Sequence, residues 1–147
     1  MTDYDIIGNI AIIKSEGKTK KQKIAEAKKL LTNPNIKTVV EKATNVKGRL
    51  RTIKTKHLLG EKTLKTVHKE NACRFLLNIE RCYFSPRLSN ERQRIAELIE
   101  QEDSVLVMFA GVGVYPIVIY KYKKCKKIVG VEIGKECCKF FKENLLL

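Results

Sequence analysis

The sequence predicts an α/β protein in which a small mixed α+β unit precedes strand–helix–strand units of a parallel sheet. The parallel part of this prediction rests on residues 105–132, where an apolar strand, a glycine turn, a helix and a second apolar strand follow one another. The mixed part rests on residues 1–80, where short apolar and β-branched runs surround a helical stretch. Antiparallel β character gives way to βα units near residues 80–83, so we predict units at residues 1–80 and 81–147.

Each element of the first unit follows from a local pattern. An apolar run with a glycine irregularity predicts a buried strand at residues 5–14, followed by a polar turn at residues 15–19. Lys20–Leu31 repeats apolar residues at helical spacing, and the Asn-Pro-Asn run at residues 33–35 ends that helix. Further strands are predicted at residues 36–40, 48–56, 63–68 and 74–79.

The second unit begins with a predicted helix. Ser89 or Asn90 can cap it, and it runs through Glu100 with a core face formed by Ile95, Leu98 and Ile99. Strand, helix, strand and helix then follow at residues 105–109, 114–122, 127–132 and 135–144.

The glycine turn at residues 110–113 predicts a nucleoside-binding site. Glycine lets the backbone approach a ligand closely. Ligands of open parallel sheets lie beyond the carboxyl ends of the strands, and an acid about 20 residues after the turn can hold a ribose. Gly111, Gly113 and Glu132 have this arrangement. The spacing suits either a dinucleotide or S-adenosylmethionine, and a purely structural turn is the alternative. A dinucleotide would prefer the fuller G-x-G-x-x-G pattern, whose third glycine is replaced here by Pro116.

The charge of the chain is strongly positive and uneven. Lys and Arg number 30 against 16 Asp and Glu, which gives a net charge of +14. Residues 1–80 hold 18 basic and 8 acidic residues, whereas residues 81–147 hold 12 and 8. A polyanion-binding module joined to a cofactor module would have this distribution. A lysine-rich surface that serves solubility would have it too.

The composition also predicts the compartment. The sequence contains no apolar run of about 20 residues, the length of a membrane span, and its start is acidic before it is apolar, unlike a signal peptide. Five cysteines without paired spacing suit a reducing compartment, so a cytoplasmic location is predicted. Cys137 and Cys138 have no accompanying histidine cluster, and no metal site is predicted.

Three ordered segments resemble the archaeal and eukaryotic class of tRNA N1-methylguanosine methyltransferases. They read HKENACRF at residues 68–75, CYFSPRLSNERQRIAELI at residues 82–99 and VLVMFAGVG at residues 105–113. The resemblance extends over almost the whole chain, from DIIGNIAII and NPNIKTVV onward. It implies a Rossmann-like class I methyltransferase fold, S-adenosyl-L-methionine as cofactor and the anticodon stem-loop of tRNA as partner, with methylation of the guanosine that follows the anticodon.

The resemblance implies three catalytic residues. Glu91 matches the general base that takes the proton from guanine N1, a proton that must leave for the nitrogen to attack a methyl group. Arg51 matches an arginine that approaches the target base, where its planar donor fork can hold a carbonyl oxygen or a phosphate. Arg92 lies in the same motif as Glu91. Without the resemblance, Glu91 would be read as an acid favoured by the helix dipole, and Arg51 as a solvated charge.

The resemblance also implies a cofactor-binding set, formed by Tyr83, Phe109, Gly111, Gly113 and Glu132. The two glycines would admit the methionine end of the cofactor, and Glu132 would hold its ribose. Tyr83 could equally be an aromatic side chain buried between domains.

Some residues of the matching segments depart from the family pattern. Val107 replaces an acid, Val114 replaces a proline, and Gly134-Lys135 replaces an asparagine–proline pair. The loss of an acid at Val107 is expected to weaken cofactor affinity. His68 lies in a family motif without an assigned chemistry, and we expect it to be structural or to face RNA.

The resemblance is partial. It lacks the family's N-terminal domain for the tRNA elbow and the C-terminal half of the catalytic domain, which contains an Asn-Pro-Pro motif. Parallel sheets require cover on both faces, so a second polypeptide that completes the sheet is expected. The leading hypothesis is a fragment or split form of the tRNA methyltransferase. The alternatives are a non-catalytic tRNA-binding remnant and a relative of the wybutosine-pathway enzymes that transfer an aminocarboxypropyl group from the same cofactor.

Overall fold

The computed structural model describes residues 4–14, 16–45 and 48–147. These residues form an α/β fold with three sheets. In chain order the elements are β1 (Tyr4–Ile7), β2 (Ile10–Ile13), α1 (Lys20–Leu31), β3 (Thr38–Lys42), β4 (Thr55–Gly60), β5 (Lys65–Glu70), β6 (Cys73–Asn78), α2 (Ser89–Glu97), β7 (Ser104–Met108), α3 (Val114–Tyr122), β8 (Lys127–Val131) and α4 (Lys135–Asn144). A short 3-10 helix at Pro86–Leu88 leads into α2.

The first sheet has the strand order β1-β2-β3-β4. β2 and β3 run parallel, and the other two pairs are antiparallel. A parallel pair needs a crossover connection, and α1 provides it. The helix begins at a capping box in which Thr19 and Gln22 each accept a hydrogen bond from the other's backbone N–H. It buries Ala27 and Leu30 in a small core shared with β2 and β3.

β5 and β6 form a separate antiparallel hairpin. Asn71 and Ala72 connect them with φ angles of +49° and +54°, as a two-residue type I′ turn requires. Asn144 at the end of α4 connects this hairpin to that helix, because its side chain bonds the backbone N–H and C=O of Leu76 at 2.7 and 3.1 Å.

β7 and β8 form a parallel pair with α3 as the crossover. Val105, Val107 and Ile128 lie on the face that packs against the larger core. The opposite face exposes four apolar side chains that pair across the strands: Leu106 with Val129, and Met108 with Val131. One face of this sheet is therefore open to solvent.

The larger hydrophobic core takes residues from both predicted units, among them Ile10 and Val40 from the first sheet, Phe75 from the hairpin and Val118 from α3. The division at residues 80–83 stays a prediction. In the described part of the chain, no helix has the length and apolar character needed to cross a membrane.

Two predicted strands differ from the structure. Residues 5–14 form two strands, because Gly8, with φ of +57°, turns the chain back between β1 and β2. The strand predicted at residues 48–56 is wrong over most of its length, because residues 48–51 form a turn and Arg51 has φ of +51°, which extended backbone excludes. The turn predicted at residues 15–19 begins at Ser15, which lies outside the described residues.

The predicted N-cap of α2 is also wrong. The chain enters the helix directly from the 3-10 turn, so Ser89 already has helical backbone angles and Leu88 takes the N-cap position. Leu88 has no side-chain acceptor, and no side chain caps the helix. The helix ends at Glu97, and Leu98, predicted for the core, is 70% exposed. The predicted helices at Lys20–Leu31, Val114–Tyr122 and Lys135–Asn144 are confirmed.

Candidate cofactor and nucleic-acid site

A cleft of about 430 Å³ opens at the carboxyl ends of β7 and β8. Its walls come from the loop that precedes β4, the segment between β6 and α2, the glycine turn and the end of β8. The predicted site residues that line it are Arg51, Tyr83, Arg92, Phe109, Gly111 and Glu132. Predicted site residues separated by up to 81 positions therefore meet in one place.

At the base of this cleft, the Glu132 carboxylate hydrogen-bonds to the backbone that follows β7 and to the backbone that follows β8. Its Oε2 accepts the N–H of Gly111 at 2.8 Å, and its Oε1 accepts the N–H of Gly134 at 2.6 Å. Each carboxylate oxygen retains a second lone-pair direction. Gly111 has φ of +59°, and the space where a Cβ would stand is open, with the Tyr83 carbonyl oxygen nearest at 3.9 Å. A ligand can therefore approach the turn closely and reach the carboxylate.

Gly113 has a different position from Gly111. It has φ of +87°, precedes α3, and a Cβ at this residue would overlap the ring of Phe141 on α4. It is not among the residues that line the cleft. The expectation that both glycines border the ligand is corrected for Gly113, which is glycine because α4 packs against the turn.

Two residues of the cleft have strained backbones. Arg51 and Phe109 have φ angles of +51° and +57° without being glycine, and such conformations concentrate at functional sites. The guanidinium of Arg51 lies 4.5 Å from the centre of the Tyr83 ring, in cation–π contact. Phe109 is 82% exposed at the end of β7. The cleft thus presents aromatic surface beside a positive charge.

Arg92 borders the cleft, but its guanidinium is held from within the protein. Nη1 donates to both carboxylate oxygens of Glu70 at 2.8 Å, and Nη2 donates to the carbonyl of Ser85 at 3.0 Å. The guanidinium also stacks on Phe84 at 5.0 Å. Arg92 could contact a substrate only by breaking these hydrogen bonds. In this geometry it connects Glu70 of β5 to the Ser85 carbonyl beside the cleft.

Glu91 lies outside the lining of the cleft. Its carboxylate accepts two hydrogen bonds from Arg94, at 3.0 and 3.1 Å, and its side chain is 40% exposed. Successive residues on a helix point about 100° apart, so the turn that buries Arg92 directs Glu91 outward. The residue that the resemblance implies as general base therefore points away from the cleft in this structure. Its role as proton acceptor stays a prediction.

Half-buried His68 and buried Glu70 form a network that the sequence-based predictions do not include. Nδ1 of His68 accepts the Gly8 N–H at 3.1 Å, so the ring proton lies on Nε2. Nε2 is 3.5 Å from the carboxylate of Glu70, and the ring packs on Phe84 at 4.8 Å. In the sequence, the HKEN run at residues 68–71 is the pattern that could have indicated this network. Because side chains alternate between the two faces of a strand, His68 and Glu70 are expected to share a face. The alternation does not predict which side chains they contact.

Cys82 and Cys137 are a buried thiol pair at the edge of the cleft. The hydrogen bond between the two thiols and their burial raise the pKa of Cys82, and the same hydrogen bond lowers the pKa of Cys137. Cys137 lines the cleft. In the described part of the chain, no group of three or more potential ligand side chains is placed to hold a metal ion.

A second, larger groove of about 690 Å³ runs along the free edge of β8. Its lining is mainly apolar and includes Ile117, Val129, Phe141 and Leu147. None of the predicted site residues borders it. The smaller cleft is therefore the candidate site, because only there do the glycine turn and its carboxylate meet charged and aromatic side chains.

The fold and this cleft define the class of protein. The family model described as the TRM5/TYW2 methyltransferase domain matches residues 66–147, which is more than half of the chain, and the TYW2 N-terminal domain model matches residues 1–63. The chain belongs to the TRM5/TYW2 methyltransferase family.

Particular relatives support this assignment. The chain is 36% identical to the tRNA (guanine(37)-N(1))-methyltransferase Trm5b of Pyrococcus abyssi, covering 99% of the chain and 44% of the relative. It is 30% identical to a tRNA(Phe) (4-demethylwyosine(37)-C(7)) aminocarboxypropyltransferase of Methanocaldococcus jannaschii, covering 98% and 55%. A solved complex of aTrm5 with tRNALeu superposes with a TM-score of 0.91 at 33% identity, covering 100% of the chain and 44% of that protein. The chain spans about half the length of these relatives.

Proposed function

We propose that this chain is part of a tRNA methyltransferase that transfers a methyl group from S-adenosyl-L-methionine to N1 of the guanosine at position 37, the position named for the Pyrococcus relative. The observation that carries the proposal is the single cleft in which the Gly111–Glu132 turn meets Arg51 and Tyr83. Methyl transfer needs the cofactor beside the target base, so the turn that would hold the cofactor and the side chains that would hold the base must border the same cleft.

The proposed cofactor fits the chemistry of the cleft. The S-adenosyl-L-methionine sulfonium supplies an activated methyl group when bound. The second lone pairs of the Glu132 carboxylate can accept ribose hydroxyls, and the open space at Gly111 admits the ligand beside the backbone. Phe109 offers an exposed ring face on which an adenine can stack.

The proposed partner is the anticodon stem-loop of tRNA. Arg49, Leu50 and Arg51 form one exposed wall of the cleft, and arginine forks suit phosphate and base carbonyl oxygens. The net charge of +14 favours association with a polyanion. Bases of single-stranded loops are recognised by stacking on aromatic side chains, which this wall can provide through Tyr83.

In the proposed reaction, the Glu91 carboxylate takes the N1 proton of guanine as the methyl group bonds to that nitrogen. The electron pair of the broken N–H bond becomes the attacking pair, and the carbon–sulfur bond breaks with its electrons returning to sulfur. Glu91 first has to exchange its partner Arg94 for the base. Arg51 is proposed to hold the base, for which it leaves the face of Tyr83.

The open face of the β7–β8 sheet supports a further proposal: another polypeptide segment completes the methyltransferase domain by covering this face. Leu106, Met108, Val129 and Val131 form a continuous apolar face, each between 39% and 61% exposed. Parallel sheets are covered on both faces in folded proteins, and exposed patches of this kind mark partner surfaces.

The decisive experiment measures methyl transfer to tRNA transcripts that carry guanosine or adenosine at position 37. The chain is assayed alone and together with the segment of the Pyrococcus relative that follows its matched region. We expect methylated guanosine with the added segment, and at least an ~100-fold lower rate for Glu91→Gln, within the range of general-base contributions. Absence of transfer in both mixtures, or an unchanged rate in Glu91→Gln, would reject the proposal.

A second candidate is aminocarboxypropyl transfer from the same cofactor. It is favoured by the match of residues 1–63 to the TYW2 N-terminal domain and by the Methanocaldococcus relative. Mass spectrometry of the digested tRNA separates the candidates, because the two groups add different masses to the nucleoside. A third candidate, tRNA binding without catalysis, predicts salt-dependent binding that Glu91→Gln does not change.

A further inference from the structure

Glu70 and Arg92 form the most deeply buried ion pair in the described part of the chain, with side chains 3% and 4% exposed. Glu70 is the last residue of β5, and Arg92 lies in the first turns of α2. Because Arg92 also donates to the carbonyl of Ser85, this one arginine connects the hairpin to both ends of residues 85–92.

Asn71, the next residue of the hairpin, holds the same segment at another point. Its Nδ2 donates to the carbonyl of Ser89 at 3.0 Å. Ser89 and Arg92 lie on either side of Glu91, so the hairpin fixes the backbone before and after this residue. The Glu91 carboxylate itself bonds only Arg94 among the described residues.

We infer that Glu70 is a positioning residue for proton transfer, which through Arg92 fixes the backbone that carries Glu91, with Asn71 supporting the same segment. The inference rests on the proposed function of Glu91. A carboxylate on an exposed first turn meets one ring nitrogen only if its backbone is fixed, since a misplacement of about 1 Å can cost ~100-fold in rate. A buried ion pair suits this task because separating the two side chains would leave an uncompensated buried charge, so the pair resists rearrangement.

A double-mutant cycle tests whether Glu70 acts through Glu91. Glu70→Gln, Glu91→Gln and the double variant are compared in single-turnover methyl transfer with saturating tRNA and the completing segment, with Glu97→Gln on the same helix as the matched control. We expect Glu70→Gln to lower the rate at least ~10-fold in the parent chain and not at all in the Glu91→Gln background. Equal fold losses in the two backgrounds would show a general structural role and overturn the inference.

Glu70→Gln leaves the Arg92 charge unpaired and can unfold the protein, so Asn71→Gly is the second variant. Glycine suits the φ of +49° at this position, and the substitution removes only the amide that holds Ser89. Hydrogen exchange followed by mass spectrometry should be at least ~10-fold faster at residues 85–92 and unchanged in Lys20–Leu31. Unchanged exchange at residues 85–92 overturns the inference, and it does so without any methyl-transfer assay. A parent chain that never methylates tRNA rejects the proposed function instead.

Discussion

The Glu132 carboxylate accepts the Gly111 N–H at 2.8 Å and thereby closes the glycine turn onto the end of the neighbouring strand. The same carboxylate holds the N–H of Gly134 at 2.6 Å. The acid that is proposed to hold the ribose thus also shapes the turn that receives the ligand. A substitution of Glu132 should therefore lower both the folding stability of the protein and its affinity for the cofactor.

Glu132→Ala should lower the free energy of unfolding by about 2 kcal/mol, because two amides lose a charged acceptor. S-adenosyl-L-methionine should bind at least ~10-fold more weakly by isothermal titration. Glu102→Ala, which removes an exposed acid in the loop between α2 and β7, is the control and should change neither quantity. Unaltered cofactor binding in Glu132→Ala would contradict the proposed role.

Gly113→Ala should destabilise the protein by about 3 kcal/mol, because left-handed backbone strain adds to the overlap of the new Cβ with Phe141. Gly17→Ala is the matched control. Gly17 also has positive φ, +74°, but open space around the Cβ position, so only the strain of about 1 kcal/mol applies. Chemical denaturation measures both, and Phe141→Leu should recover part of the Gly113→Ala loss. Equal losses in the two glycine variants would exclude the packing explanation.

Glu80 should make folding stability depend on pH. Burial raises the pKa of Glu80, but the hydrogen bonds from the Thr55 amide and hydroxyl, with Lys54 nearby, outweigh burial and hold that pKa below its usual value. A lowered folded-state pKa stabilises the protein above the unfolded-state pKa of about 4.3, and the stabilisation is lost as the pH falls through the lowered value. Glu80→Gln should therefore be less stable than the parent at pH 7, with the difference shrinking in acid. Glu102→Gln, which removes an exposed loop acid, is the matched control.

Arg51→Lys should lower methyl transfer at least ~10-fold while leaving tRNA affinity nearly unchanged, because lysine keeps the charge but not the planar donor fork. The loss of the contact with Tyr83 should cost folding stability less than about 1 kcal/mol at this exposed site. Arg81→Lys, at an exposed arginine next to Cys82, is the control for a change of arginine to lysine. A large loss of tRNA affinity in Arg51→Lys would show that Arg51 binds RNA generally and has no particular role toward the base.

Leu106→Lys should prevent association with the completing segment, because it places a charge in the open apolar face of the β7–β8 sheet. The isolated protein should also self-associate less in analytical ultracentrifugation. Leu98→Lys changes a leucine that is 70% exposed elsewhere and should have no effect on either measurement. If both variants bind the segment equally well, the open face is not its docking surface.

Sequence patterns determined the parts of this protein that depend on local spacing. Apolar residues at helical intervals predicted α1, and the strand–turn–helix–strand run predicted both the parallel pair and the opposition of Gly111 and Glu132. These predictions succeeded because a helix or a βαβ unit repeats its pattern along a short stretch of chain, where burial and backbone geometry leave a periodic trace.

Tertiary structure alone decided which distant residues meet. Arg51 lies in a turn whose positive φ no strand pattern indicates, and it contacts Tyr83, which is 32 positions away. Glu70 pairs with Arg92, although the chain has many other basic residues. Because Arg92 points inward, the adjacent Glu91 lies on the outer side of the helix. Gly113 looks equivalent to Gly111 in the sequence, yet it is Phe141 that requires it. The physical reason is that such contacts are set by how layers pack in three dimensions, and neither charge nor propensity at a single position encodes its partner.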